Sequence, residues 1–183
     1  MISATFYEDS YYKDLHQFAK ISGAISQDTL MTVQVRAALP EDAVAISQVI
    51  IAALRQSNAQ DYPPEVIAQV AQHFAPSHVL SLINGRRVYV ATVNDRVIGT
   101  ASLDQSVVRS VFVDPALQGI GIGKQLMATL ERAAACEGVR LLQVPSSITA
   151  EGFYEALGFR KVRDEFHGAE RTIIMDKPLD PAH

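Results

Sequence analysis

Residues 106–137 read as four segments in order: an apolar, strand-like run, a Val-Asp-Pro turn, three glycines at every second position, and an amphipathic helix. Glycine loses more backbone freedom on folding than any other residue, so Gly119, Gly121 and Gly123 disfavour order unless bare backbone is needed there. A helix N-terminus exposes unpaired N–H groups and a partial positive charge, and glycine lets an anion approach them closely. A further strand at 139–144 follows the helix. The strand–helix–strand unit commits the chain to a sheet containing a parallel crossover.

The spacing of the glycines excludes two familiar phosphate loops. A Walker A loop has four residues between its first glycine and Gly-Lys, then serine or threonine. Here three residues separate Gly119 from Gly123, and Gln125 follows Lys124. A dinucleotide fingerprint runs G-x-G-x-x-G, whereas this loop runs G-x-G-x-G. The strand after the helix also ends in Val144-Pro145-Ser146, without the acid that would hold a ribose.

Upstream, Val33, Val35 and Ala37 alternate with polar residues as in a half-buried strand. Pro40-Glu41-Asp42 opens one helix. Pro63-Pro64-Glu65 opens a second, with Val66, Ile67, Val70 and Phe74 on one face. Residues 88–93, 96–103 and 106–113 form a three-stranded antiparallel meander, joined by Asn94-Asp95 and by a turn at Asp104-Gln105. After the helix at 123–137 come the strand at 139–144, a short helix at 149–157 ended by Gly158, and two strands turning at His167-Gly168. The expected fold is α/β (α+β): a mixed, mostly antiparallel sheet of six to seven strands with helices on both faces.

The 183 residues suffice for one domain with its own core, and 48% hydrophobic with 20% charged residues is an ordinary globular composition. The net charge of -4 gives no electrostatic footprint for nucleic acid and tolerates a cationic small substrate better. The single cysteine, Cys136, rules out an internal disulfide and a cysteine-built metal site, and the helical pattern points to a buried position for it. His73 and His78 lack a third ligand at suitable spacing, so no metal is expected. With no signal-peptide core and no apolar run of membrane length, the expectation is a cytoplasmic protein with no membrane partner. Residues 1–31 read as an N-terminal extension, with Tyr11, Leu15, Phe18 and Ile25 on one helical face, ahead of a domain at 32–178 and a tail at 179–183.

The pattern V-x-V-D-P-x-x-Q-G-x-G-x-G-K, with Gln118, Gly121 and Gly123 as its fixed points, resembles motif A of the GNAT superfamily of acyl-CoA-dependent N-acyltransferases. Downstream, "SSITAEGFYEALGFRKV" resembles the family's motif B, and the likeness spans residues 32–178. It implies an N-acetyltransferase that moves an acetyl group from acetyl-CoA, its co-substrate, to an amine by direct attack in a ternary complex. Val111, Phe112 and Val113 would pair with the pantetheine arm as an added strand does. Gln118, Gly119, Ile120, Gly121, Ile122 and Gly123 would cradle the pyrophosphate, with Lys124 as an added positive charge. Tyr154 matches the position of the general acid. Ser147 stands where the family often has asparagine, and its hydroxyl could serve the pantetheine or cap the following helix. Pro145 cannot donate to a ladder, so the central strands should part beyond Val144, where the family seats the thioester.

The acceptor implied is a small-molecule amine or a peptide N-terminus. A homodimer is an expectation at the level of the family alone. Asp104, Glu165 and His167 are candidate bases by their chemistry, and solvent-relayed deprotonation is an alternative. Asp61-Tyr62 and Asp164-Glu165 could attract a cation. The competing reading is a non-enzymatic acyl-CoA-binding or regulatory module, to which Ser147 and the absence of an evident base lend support. A nucleotide-phosphate binder is a third reading.

Overall fold

A computed structural model describes residues 32–168 and 170–179. The expected extension at 1–31 and most of the tail at 179–183 lie outside the described residues. The described domain holds seven strands, β1 Gln34–Ala37, β2 Arg87–Val93, β3 Arg96–Asp104, β4 Val107–Val113, β5 Leu141–Ser146, β6 Arg160–His167 and β7 Glu170–Pro178. Five helices accompany them: α1 Ala43–Gln56, α2 Pro64–Gln72, α3 Pro76–Gly85, α4 Ile122–Cys136 and α5 Glu151–Ala156. One sheet runs in the order β1-β2-β3-β4-β5-β7-β6, antiparallel at every step except β4–β5. The mixed, mostly antiparallel architecture expected from the sequence is the one observed.

The β2–β3 turn forms where its residues allow it. Asn94 and Asp95 take φ +48° and +63°, the left-handed pair that matches the twist of a two-residue hairpin. Two cores lie on opposite faces of the sheet. One joins Ile46, Val49, Ile50 and Leu54 of α1 to Ile67 of α2 and Val79 of α3 over Val88, Val90 and Val97. The other joins Ile122, Leu126, Met127, Leu130 and Ala134 of α4 to Tyr154 of α5 over Ala101, Leu103, Val108, Leu142 and Val144. The spacing of α4's buried residues is the i, i+4, i+8 repeat of a single helical face.

Two expectations are corrected. The sequence reading has two helices between β1 and the meander, whereas the described residues hold three there. Pro76 does not break the chain but occupies the first turn of α3, where its missing N–H costs nothing, and Val79 anchors that helix in the core. Cys136 is exposed rather than buried, because it lies two residues past Ala134 and so turns onto the polar side of α4.

The entry into α1 is fixed by a charged clamp. Arg36 donates from Nη1 and Nη2 to the two oxygens of Asp42 at 2.7 and 3.0 Å, and the Leu39 N–H donates to Oδ2 at 2.7 Å. The Arg36 hydrogen bonds hold the Asp42 carboxyl below the usual carboxylate range, against the opposing effect of burial and aided by Leu39. A carboxyl depressed in the folded state stabilises fully above its unfolded pKa of about 3.9, and that contribution disappears as pH falls through the lower folded value. The urea midpoint of Asp42→Asn should therefore lie below wild type at pH 6, and the gap should close towards pH 2. A gap independent of pH would contradict this assignment.

Candidate active site

The parallel step between β4 and β5 is barely made. Val107 opposite Gln143 is its one paired position, with the Gln143 N–H donating to the Ser106 carbonyl at 3.0 Å. The strands part at Gln143, before Val144, so the opening is longer than Pro145 alone predicts. On its other side β5 stays paired with β7 through Pro145 and Ser146. The β4 edge from Val108 to Val113 therefore faces an opening rather than a strand. Within that edge, the register against β3 shifts between Thr100 and Ser102, and Ser110 takes φ +53°. This is a bulge, with an extra residue turning the main chain of β4 beside the opening.

At the end of this edge, Val111 and Val113 pack towards α4, whereas Phe112 packs towards α1 and α3. The Phe112 ring meets Phe74 edge-on, with centroids 5.8 Å apart. Asp114 is buried, accepts the Ala116 N–H at 3.0 Å and pairs with Arg96, which shapes the turn into the glycine loop. Gln118 donates from its amide to Ser57 Oγ at 2.9 Å and to the Val113 carbonyl at 3.2 Å. Its side chain thus braces the loop against the end of α1.

The three glycines divide by role. Gly119 and Gly121 adopt φ +82° and +93°, and a Cβ on either would meet nothing within 4 Å, so conformation rather than space demands glycine. Gly121 caps α4, exposing the N–H groups of its first turn. Gly123 has ordinary φ, but a Cβ there would lie 3.1 Å from the Phe153 ring. Its bareness leaves room for α5. Ile120 and Lys124 are exposed beside the loop. Ile122 points the other way, buried over Gly99, where an added Cβ would meet it at 3.2 Å. Any contact it makes with a ligand is through its main chain.

Phe153 leads from the loop to Tyr154, whose ring it meets edge-on at 5.1 Å between centroids. Phe159 contacts the other side of Tyr154 at 5.5 Å. Burial pushes the Tyr154 phenol well above its ordinary pKa. Its hydroxyl has no hydrogen-bond partner among the described residues and is not sealed from the surface. Ser147 is half-buried and extended and does not cap the following turn through its side chain.

The loop between α1 and α2 reaches across to β7 and to the turn before α5. The Tyr62 hydroxyl donates to the Arg171 carbonyl and accepts the Ile148 N–H, both at 2.8 Å. Beside it, Thr149 donates to Asp61 at 2.7 Å. Asp61-Tyr62 is thus a strap between segments remote in sequence. The second expected acidic pair is also occupied, Asp164 by Lys161 and Arg171, Glu165 by Arg163. Asp104 is exposed at the end of β3, and the His167 side chain lies outside the described residues. Tyr62→Phe would strand two polar groups, at about 1–3 kcal/mol for a buried unpaired group. Its melting temperature should drop by several degrees, and an unchanged value would remove the strap from the account.

Among the described residues, no group of three His, Cys, Asp or Glu could hold a metal ion. No helix among them is long and apolar enough to cross a membrane.

A family model described as an acetyltransferase (GNAT) domain matches residues 58–174. An uncharacterized N-acetyltransferase, YafP, of Escherichia coli (strain K12) is 28% identical over 133 residues, covering 73% of this chain and 85% of that protein. A GCN5-related N-acetyltransferase from Rhodopseudomonas palustris superposes with a TM-score of 0.77 at 24% identity, over 84% of this chain and all of that one. PaiA N-acetyltransferase from Thermoplasma acidophilum, solved in complex with coenzyme A, superposes at 0.71 with 18% identity, over 81% of this chain and all of its own. These two structures share its fold.

Proposed function

The chain belongs to the GNAT acetyltransferase family, and on that premise we propose that its domain at 32–178 transfers an acetyl group from acetyl-CoA to a primary amine by direct attack. The observation that carries the proposal is one continuous line of structure. It runs from the open edge of β4 through the left-handed glycine loop to Phe153 and the unpartnered hydroxyl of Tyr154.

The main-chain groups of Val111, Phe112 and Val113 receive the pantetheine arm as an added strand would be received. The loop from Gln118 to Gly123 and the first turn of α4 hold the pyrophosphate on exposed N–H groups, with Lys124 adding charge from outside. Ser147 offers its hydroxyl to the arm from the opposite side. The thioester then lies beside the β4 bulge.

A neutral amine attacks the thioester carbon, and the carbonyl electrons move to oxygen. A main-chain N–H of β4 is placed to stabilise that oxyanion. Collapse re-forms the carbonyl, breaks the C–S bond and expels the thiolate of coenzyme A. Tyr154 donates its proton to that sulfur. Burial keeps the phenol protonated throughout the physiological range, which fits it to donate rather than to accept. The same burial makes the thiolate more basic, so the transfer occurs as charge develops. The nitrogen of the tetrahedral intermediate loses its extra proton to solvent, so that collapse leaves a neutral amide, and Tyr154 regains a proton from solvent, which balances the step.

Calorimetry with acetyl-CoA and a thiol-release assay over amines test the proposal together. Binding followed by amine-dependent release of coenzyme A is expected. Binding without release under any amine would favour the regulatory module, and absence of binding would end both readings.

A further inference from the structure

We propose that Arg86, between α3 and β2, binds a carboxylate on the acceptor, so that the substrate class is an amine bearing an acid group. The inference rests on the acetyl transfer proposed above and deepens it.

Arg86 is half-buried and lacks a counter-ion. Its Nη2 donates to Ser110 Oγ at 2.9 Å, and it makes no ion pair among the described residues. Its Nε is sealed from solvent without an acceptor, the one described side-chain polar atom in that condition. Arginines 36, 87, 96, 163 and 171, by contrast, each hold a carboxylate. Leaving a charged donor dry and unpaired costs free energy that an exposed or paired arginine would not incur. Burial dominates the electrostatics and depresses the Arg86 pKa; the field of Asp104 opposes this, and that of Arg109 reinforces it. Nη1 also lacks a partner but is not sealed, so that edge of the guanidinium is open to a planar anion.

The placement identifies which anion. Ser110 is the bulge residue of β4, three positions before Val113 on the edge that β5 leaves open. At about 3.3 Å per residue, that puts it roughly 10 Å back along β4 from Val113, the strand end that leads into the glycine loop. The coenzyme's phosphates belong at the loop, so an unpaired cation at the bulge serves a group beside the thioester. The incoming amine is the other molecule there. This reverses the expectation from net charge, since -4 overall coexists with local positive charge at Arg86 and Arg109.

The test uses matched amines that differ only in the acid, such as glycine with glycinamide, β-alanine with β-alaninamide, and glutamate with glutamine. Thiol release is measured with saturating acetyl-CoA. Wild type should favour the acids, and α- against side-chain recognition is separated by which pair shows the larger ratio. Arg86→Gln should raise KM for the acids by about tenfold or more, as expected for a lost charge-assisted bond. It should leave KM for the amides and the acetyl-CoA Kd within twofold. Arg86→Lys should recover part of the preference. A structural role in propping Ser110 would move acids and amides together, and that result would overturn the proposal.

A binding measurement decides the matter if no amine in the set turns over. The Arg86 Nε–H signal, assigned by its loss in Arg86→Gln, should shift in ¹⁵N spectra when glutarate is added to the coenzyme A complex. Glutaramide should not shift it. A signal indifferent to both overturns the proposal even if acetyl transfer is confirmed. Failure of coenzyme A to bind would instead overturn the enzyme reading on which it rests.

Discussion

Tyr154→Phe is expected to lower kcat by about 10²–10⁴-fold, the usual contribution of a positioned acid, while leaving the acetyl-CoA Kd within about twofold. The substitution removes one oxygen and keeps the ring that Phe153 and Phe159 grip edge-on. Since the hydroxyl has no partner among the described residues, its loss strands no donor or acceptor, and stability should hold or rise slightly. Rapid-mix measurement of coenzyme A release, with calorimetry for binding, separates the two effects. Because burial raises the Tyr154 pKa, the alkaline side of the wild-type pH profile should show no loss of rate at the ordinary phenol value. An acceptor with an amine of lower pKa should react at lower pH. If Tyr154→Phe turns over normally, the acid is another group and the proposed mechanism fails at its last step.

Gly121→Val should weaken acetyl-CoA binding by about 10²-fold. A β-branched residue cannot hold φ +93° without strain. The space around Gly121 is open, so the loop relieves that strain by turning over rather than by displacing a neighbour. Turning over misdirects one or two N–H groups of the loop, each worth about 1.5–3 kcal/mol towards a charged group. Gly123→Val should behave differently. A Cβ there already meets Phe153 at 3.1 Å, so it pushes α5 and Tyr154 away, costing about 1–3 kcal/mol of stability and lowering kcat more than affinity. Equal effects of the two substitutions on Kd would contradict the division of roles among these glycines.

Local chemistry made much of this legible in advance. Asn94-Asp95 named its hairpin because few side chains tolerate two positive φ values in succession. Gly121 marked the head of α4 for the same reason. The i, i+4 spacing of Leu126, Leu130 and Ala134 selected the buried face of α4 correctly. Less was legible where packing overrides local preference. The helix opened by Pro76 goes unread in the sequence, yet Val79, a turn further on, holds it in the core. Nothing in the glycine spacing shows that a Cβ at Gly123 would meet an aromatic ring thirty positions away. Asp61-Tyr62 reads as surface acid and aromatic, and becomes a strap because two main-chain groups from remote segments meet at one hydroxyl.

By itself the sequence determined the class of fold, the order of nearly all its elements, and the two segments on which the proposed chemistry rests. Those properties follow from periodicity, turn residues and glycine spacing, which act over a few positions. Tertiary structure alone decided where β4 and β5 separate, which glycines are held by conformation and which by space, and that Tyr154 is buried with its hydroxyl unengaged. It also decided that Arg86 is left without a counter-ion beside the bulge. Each of these depends on which distant groups become neighbours and which polar atoms lose water in the process, and no window of adjacent residues contains that information.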